Sequence, residues 1–315
     1  MKPILLATDG SPYAAEATLE AFQLARRLGA PLLAITVANI VVPPYAYDGY
    51  AEAVRKLMDI EDERVSTVLA ETKAAADAAG LECETVRASG PVVAEICGLA
   101  RAREARIIVV GAHGWGPIRR AIHGSVSQGL AEDAHCAVLV VRHTDAPNHQ
   151  GAAMTPILLA TDGSPSAEAA TLEAIELAHA FAAPLLVASV AHVALPAYGG
   201  YYGYGEISAD LHKAETKHVV EVLATTKALV EAADVSCETI ALDGPAAEEI
   251  CRVARERGAR LVVVGAHGWA RLGRMIHGSV STAVLHDAPC PVLVVRGSPE
   301  PLAEATSAPG AAIAH

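Results

Sequence analysis

"IIVVGAHGWGPIRRAIHGSVS", Ile107 to Ser127, has a near copy in "LVVVGAHGWARLGRMIHGSVS", Leu261 to Ser281. Each copy opens with a continuous run of β-branched and apolar residues, the pattern of a strand covered on both faces. A glycine-punctuated loop follows, and Gly124-Ser125 or Gly278-Ser279 then leads into residues with helical spacing. Strand, loop and helix in that order form the unit of a parallel α/β sheet. Gly111 and Gly114 are expected to turn the backbone with positive φ and to let it approach a ligand with no Cβ in the way. At the helix start the first N–H groups have no intrahelical acceptor and the positive end of the dipole faces outward, while Ser125 and Ser127 add hydroxyl donors. The stretch therefore reads as an anion cradle. A phosphate there gains about 0.3–2 kcal/mol from the dipole and about 1.5–3 kcal/mol per hydrogen bond to a charged group.

The repeat extends well beyond this stretch. "PILLATDGSP" at Pro3 to Pro12 recurs letter for letter at Pro156 to Pro165. Further on, Cys83 answers to Cys237, so the second copy carries one extra residue, expected in the loop Tyr198 to Gly205 that answers to Tyr45 to Tyr50. Each copy has the length of one domain. The division expected is a first domain over residues 1–143, a linker over 144–154, a second domain over 155–297 and a tail over 298–315. The tail, rich in Pro, Ala, Ser and Gly, has the composition of a disordered segment. Within the first copy, apolar runs of strand length occupy Ile4–Thr8, Leu32–Ala38, Cys83–Arg87, Arg106–Gly111 and Ala137–Arg142. Helical spacing occupies Pro12–Leu28, Ala51–Ala79, Val92–Ala105 and Ser125–Asp133. Ser11 before Pro12 is an N-cap followed by proline at the first helical position, and Gly29 and Gly80 end two helices. The alternation predicts a doubly wound parallel sheet with helices on both faces in each copy, an α/β fold whose strand order the pattern leaves open.

In such sheets ligands bind beyond the carboxyl ends of the strands, where the winding direction reverses. Two loops qualify by position: Thr8-Asp9-Gly10-Ser11 after the first strand, and the Gly111 loop after the fourth. Asp9 and Asp162 have two readings, contact with a ligand or an Asx-turn that shapes the loop. Composition narrows the classes. With 315 residues, 52% of them hydrophobic, the chain can bury two cores. The six cysteines fall three per copy at matching places with no CxxC pair, which reads as small buried apolar residues. The start reaches Asp9 too soon for a secretory signal, and no apolar run spans a membrane, so a cytoplasmic protein without membrane contact is expected. A net charge of -12 with no basic cluster argues against nucleic acid and anionic lipid as partners. Salt screens that diffuse charge over about 10 Å, so local donors can still hold an anion.

No GxxxxGK[ST] lysine and no kinase-type Asp/Asn set is present, which argues against fast phosphoryl transfer. His113, His123, His267 and His277 match between the copies but have no carboxylate or thiolate at ligand spacing, so no metal site is assigned to them and their readings are a phosphate-side hydrogen bond or a structural role. Arg120 and Arg274 also match, as phosphate partners or as solvated surface residues. Seven of the eight tyrosines lie in "YAYDGY" and "YGGYYGYG", read as a lid, a partner surface or a solvent loop.

The spacing Gly111-x2-Gly114-x9-Gly124-Ser125, repeated at Gly265, Gly268, Gly278 and Ser279, resembles the nucleotide-binding signature of the universal stress protein family, in its ATP-binding branch. The aspartate of "ATDGS" and the closing strands "CAVLVVR" and "CPVLVVR" resemble that family too. The likeness covers Pro3 to Arg142 and Pro156 to Arg296, so the chain resembles a tandem universal stress protein. The resemblance implies five-stranded sheets in the order 3-2-1-4-5 and a site for ATP, with or without Mg2+, in each copy. It implies that Ala7 and Asp9 border the adenosine, with Asp9 accepting from ribose hydroxyls, and that Val37 meets adenine. Gly111, Ala112, His113, Gly114, Trp115, Gly116 and Pro117 would wrap ribose and phosphates, and Gly124, Ser125, Val126 and Ser127 would hold the phosphate chain. The matching positions in the second copy are Ala160, Asp162 and Val190, then Gly265, Ala266, His267, Gly268, Trp269, Ala270 and Arg271, then Gly278, Ser279, Val280 and Ser281. Both sites are expected to be competent, although Gly116-Pro117-Ile118-Arg119 and Ala270-Arg271-Leu272-Gly273 differ enough to put equal affinity in question. The resemblance also implies antiparallel pairing of the two closing strands, a pseudo-dimer within one chain that can associate further into a homodimer of chains. The function expected is that of an ATP-binding stress-response or regulatory protein whose occupancy shifts conformation or partners. The alternatives are a slow ATPase or adenylyl/phosphoryl transferase, and a protein-binding scaffold that does not use nucleotide.

Overall fold

The computed structural model describes residues 1–40, 50–113, 125–142, 155–191, 204–266 and 279–297. The first copy runs β1 (Ile4–Ala7), α1 (Pro12–Leu28), β2 (Leu32–Ala38), α2 (Tyr50–Ala78), β3 (Cys83–Ser89), α3 (Val92–Ala102), β4 (Ile107–Gly111), α4 (Ser125–Asp133) and β5 (Ala137–Val141). The second repeats it as β6 (Ile157–Ala160), α5 (Pro165–Phe181), β7 (Leu185–Ala191), α6 (Tyr204–Ala232), β8 (Cys237–Asp243), α7 (Ala246–Glu256), β9 (Leu261–Gly265), α8 (Ser279–Asp287) and β10 (Val292–Val295). The repeat offset changes between β2/β7 and α2/α6, which brackets the inserted residue where the tyrosine loops lie.

Local chemistry accounts for the helix ends. The Ser11 hydroxyl accepts from Ala14 N at 3.2 Å, Pro12 follows, and Gly29 closes α1 in the left-handed region with φ 62°. Ser164 caps α5 in the same way through Ala167 N at 3.3 Å. Its C-cap is Ala182 at φ 50°, where no glycine signals the stop. A Cβ in that conformation costs about 1–2 kcal/mol, which α5's packing offsets.

The ten strands form one sheet in the order β3-β2-β1-β4-β5-β10-β9-β6-β7-β8. Within each half the order is 3-2-1-4-5 and every pairing is parallel. The halves join antiparallel, with Leu139 opposite Leu293 and, on either side, Val138 opposite Val294 and Val140 opposite Val292. The apolar edge that each half would expose alone is thereby covered by its counterpart, and the chain is an intramolecular pseudo-dimer. Two apolar clusters run unbroken across that seam, one on each face of the sheet. Leu139 and Leu293 belong to the cluster under α1, α2, α5 and α6, and Val138, Val140, Val292 and Val294 to the one under α3, α4, α7 and α8. The outermost strands depart from the expected apolar pattern. Glu84, Thr85 and Arg87 of β3 are exposed because an edge strand is covered incompletely, and Glu84 accepts a forked pair from Arg103 at 2.7 and 2.6 Å. Charged residues on such an edge discourage further pairing.

A pseudo-symmetric pair of ion contacts crosses between the halves. Arg106 reaches Glu173 at 2.9 Å and also contacts Glu176, while Arg260 reaches Glu20 at 3.7 Å and lies over the Phe181 ring at 3.7 Å from its centroid. Burial pushes the Glu173 and Glu20 carboxyls above the ordinary range, against the pull of Arg106 and Arg260. An acid with a raised folded-state pKa binds its proton more tightly folded than unfolded. Its contribution is complete below the unfolded value near about 4.3 and is lost as pH rises through the folded value. Replacing both residues by glutamine is expected to flatten the fall of stability with rising pH across that window. Urea midpoints across a pH series check this, and an unchanged slope would refute it.

Among the described residues no helix is long and apolar enough to cross a membrane.

Candidate functional site

The winding direction reverses between β1 and β4, which lie side by side with Ile4 opposite Ile107 and Ala7 opposite Val110. The loops leaving their carboxyl ends therefore border one crevice, as the position of a doubly wound switch point requires. The same neighbourhood recurs at β6 and β9, with Ala160 opposite Val264.

The Thr8–Ser11 loop is held at each residue. Thr8 N donates to Ile35 O at 3.0 Å, and the buried Thr36 hydroxyl donates to Thr8 O at 2.9 Å. Asp9 Oδ1 accepts from Ser11 N at 2.9 Å, and Asp162 Oδ1 accepts from Ser164 N at 3.0 Å. The Asx-turn reading of both aspartates is thus realised. Gly10 sits at φ 75°, where a Cβ would come within 2.5 Å of Val68 on α2, so only glycine fits. From α2, Arg64 Nη1 donates to Asp9 O at 2.9 Å and forks onto Glu61 at 2.8 and 2.6 Å. That hydrogen-bonded pair raises the Arg64 pKa and lowers that of Glu61. In the second half the same helix position is His218, whose Nε2 lies 3.3 Å from Asp162 O. Sequence reasoning did not single out Arg64 or His218. The available signal was that they share one repeat position and differ in charge type.

Gly111 behaves differently from expectation. It lies in β4 and is absent from the residues with positive φ. The reason for glycine there is packing: a Cβ would stand 3.0 Å from Tyr13 O in the first turn of α1. At Gly265 a Cβ would stand 2.8 Å from Ser166 C and 2.9 Å from Ala167 N of α5. Both glycines let a helix begin directly against the strand that carries the second loop.

Beyond β4, Ala112 N donates to Val141 O at 2.8 Å, and the Ser127 hydroxyl donates to Ala112 O at 3.3 Å. Ala266 and Ser281 repeat this at 2.8 and 3.2 Å. Ser127 and Ser281 are buried, so their hydroxyls tie the helix mouth to the loop, a role the sequence does not reveal. Ser125, the first residue of α4, is exposed. Ala7, Val37, Ala112 and Val126 belong to or pack against one apolar cluster, on the α3/α4 face of the sheet. Ala160, Val190 and Ala266 do the same in the second half, whereas Val280 is exposed. The His113 ring is half-buried, 5.4 Å from the Tyr13 ring. Burial first, then the charge of Arg142, pulls its pKa down, which favours neutral imidazole.

Gly114, Trp115, Gly116, Pro117, Gly124, His267, Gly268, Trp269, Ala270, Arg271 and Gly278 lie outside the described residues. So do Arg120, His123, Arg274, His277, the linker, the tail and most of the tyrosine loops. Among the described residues no group of three or more His, Cys, Asp or Glu could hold a metal ion. The six cysteines are free, and burial pushes Cys136 and Cys251 up to about 11 and Cys290 up to about 12, so these thiols stay protonated at neutral pH.

Two parallel five-stranded halves, each with its loops gathered at the β1/β4 or β6/β9 switch point, define a tandem α/β protein of the doubly wound class. The model of the Universal stress protein family matches residues 1–142 and 154–296, and the chain belongs to this family. It is similar to universal stress protein Rv2005c of Mycobacterium tuberculosis (strain ATCC 25618 / H37Rv), 37% identical over 201 residues. That match covers 62% of this chain and 63% of the relative's length. It is also similar to universal stress protein MJ0531 of Methanocaldococcus jannaschii, 35% identical over 144 residues, which is 44% of this chain and 81% of that protein. A universal stress protein structure from Archaeoglobus fulgidus superposes with a TM-score of 0.69 at 22% identity, covering 94% of this chain and 96% of the other, a likeness of fold.

Proposed function

We propose that the protein binds ATP at the switch-point crevice of each half and that occupancy regulates its conformation or its partners in a stress response. The observation that carries this reading is the adjacency of β1 and β4, which gathers the Asp9 loop, Ala112 and the amino end of α4 at one place. The chemistry there suits a polyphosphate: a helix start, whose first N–H groups have no acceptor within the helix, an exposed serine and no acidic residue in the first turn. The small side chains of Ala7 and Val37 suit a flat aromatic base. In this reading Ala7 and Val37 contact adenine, Asp9 accepts from the ribose, and Ser125, Val126 and Ser127 bind phosphate mainly through the backbone. The Gly114 loop wraps the remainder. Ala160, Asp162, Val190, Ser279, Val280 and Ser281 act alike in the second half, and Mg2+ would arrive on the phosphates.

The test is calorimetry with ATP on the full chain, beside mass spectrometry of the supernatant after denaturing freshly purified protein. Gly114→Ala together with Gly268→Ala is expected to weaken ATP at least about tenfold, corresponding to about 1.4 kcal/mol, by placing methyl groups against the phosphates. Undiminished ATP binding would remove the loop assignment. Bound ADP with sustained phosphate release would favour slow hydrolysis, and no nucleotide under any condition would favour the scaffold reading.

A further inference from the structure

The two closing strands end in arginines that cross the seam. Arg142, after β5, donates from Nη2 to Leu285 O near the carboxyl end of α8 in the other half. Arg296, after β10, donates to Ala131 O at 2.9 Å and to Glu132 O near the carboxyl end of α4. Ala131 and Leu285 occupy the same repeat position, so the two contacts are related by the pseudo-twofold. A guanidinium there satisfies terminal carbonyls and meets the negative end of the helix dipole. Arg142 also borders the crevice of its own half, lining a shallow cleft with Ala112, His113, Ser127 and Gln128. Neither guanidinium is fully satisfied, since the Nε atoms of Arg142 and Arg296 are buried without a hydrogen-bond partner among the described residues. The carboxylates acting most on them are Asp287 and Asp133.

We propose that Arg142 and Arg296 couple the two crevices, each being shared between a ligand at its own half and the carboxyl end of the other half's α8 or α4. The inference rests on the ATP-binding reading above. Helices α4 and α8 are nine residues each, about 13 Å at 1.5 Å per residue. Their amino ends are the proposed phosphate mouths and their carboxyl ends receive the crossing arginines. A phosphate in the first crevice draws Arg142 toward itself and away from Leu285 O. Helix α8 then loses its cationic cap, and its amino end becomes a weaker anion site. The mirror-image exchange runs through Arg296 and α4. The coupling is therefore negative: filling one site weakens the other, and by linkage the effect is reciprocal.

The chain's two tryptophans, Trp115 and Trp269, fall one in each loop, so 5-fluorotryptophan labelling gives one fluorine resonance per site. ATP titration of the full labelled chain, with assignment by Trp269→Phe, yields both site affinities and their coupling. In the parent protein, occupancy of one site should weaken the other about threefold, corresponding to about 0.65 kcal/mol of coupling. In Arg142→Gln/Arg296→Gln that factor should fall to one. Hydrogen exchange on the ligand-free single variants supplies a second readout. Arg142→Gln should speed exchange in α8 and leave α4 unchanged, and Arg296→Gln the reverse. ATP binding with the same coupling in parent and double variant, or exchange that rises in the arginine's own half, would overturn the coupling alone. No ATP response in the parent by fluorine resonance or calorimetry would overturn the binding reading, and the coupling with it.

Discussion

Val294→Asp is expected to destabilise the protein by about 3–5 kcal/mol, the range for a buried charge left without a partner, and to part the two halves at the seam. Val294 is 3% exposed and sits between Val138 across the antiparallel seam and Val264 on the parallel side. Its side chain points into the apolar cluster shared by α3, α4, α7 and α8, and the guanidiniums that flank this face, Arg142 and Arg296, already donate to Leu285 O and to Ala131 O and Glu132 O. A carboxylate there must ionise in an apolar site, protonate, or reach water by opening the seam. Burial would hold the new carboxyl's pKa above its unfolded value, so the folded state would bind the proton more tightly. The loss should accordingly be smallest at low pH and grow as pH rises above the unfolded aspartate value of about 3.9, until the folded value is passed. Denaturant melts at several pH values together with small-angle scattering check this. An unchanged midpoint with an unchanged radius of gyration would show that the β5–β10 pairing is not what joins the halves.

Gly265→Val is expected to cost about 3 kcal/mol, the upper end for overpacking against atoms that cannot yield. The added Cβ would meet Ser166 C at 2.8 Å and Ala167 N at 2.9 Å. Those are backbone atoms of the first turn of α5, held by the Ser164 cap. Relief therefore requires shifting the start of the helix, and with it the Asp162 loop that borders the second crevice. Nucleotide affinity in that half should fall with stability. Gly111→Val meets a carbonyl oxygen at 3.0 Å, so the first half should suffer less. The difference between the two variants is informative, because a glycine needed only for ligand approach would leave stability unchanged in both. Denaturation midpoints with the Gly265 variant as stable as the parent would sink the packing account.

Those two positions also separate what sequence reasoning could reach from what it could not. The glycine at 111 was conspicuous in the sequence, but the expected reason was backbone freedom and ligand approach. The helix turn that excludes a Cβ comes from residues about a hundred positions earlier, and no local pattern announces it. Ser127 is similar: its place at a helix start is evident, whereas the carbonyl its hydroxyl bonds is fixed by how α4 docks on β4. Asp9 kept two readings because an Asx-turn and a ligand contact call for the same residue at the same place. Arg64 and His218 stayed hidden because a charged residue on a long helix is ordinarily a solvated one.

From the order of its residues alone, this chain's alternation of strand and helix, its twofold repeat and most helix ends could be read. Periodicity, caps and apolar runs are properties of neighbours in the chain, so they survive in one dimension. The family resemblance supplied the strand order, and the fold bears it out in both halves. Only tertiary structure decided the rest: which helix start presses on Gly111 and Gly265, which carbonyls receive the Ser127 and Ser281 hydroxyls, and that Arg142 and Arg296 cross to the opposite half. Each of those contacts joins residues far apart in the chain, and their geometry follows from how two sheet faces pack, a quantity that composition and spacing do not contain.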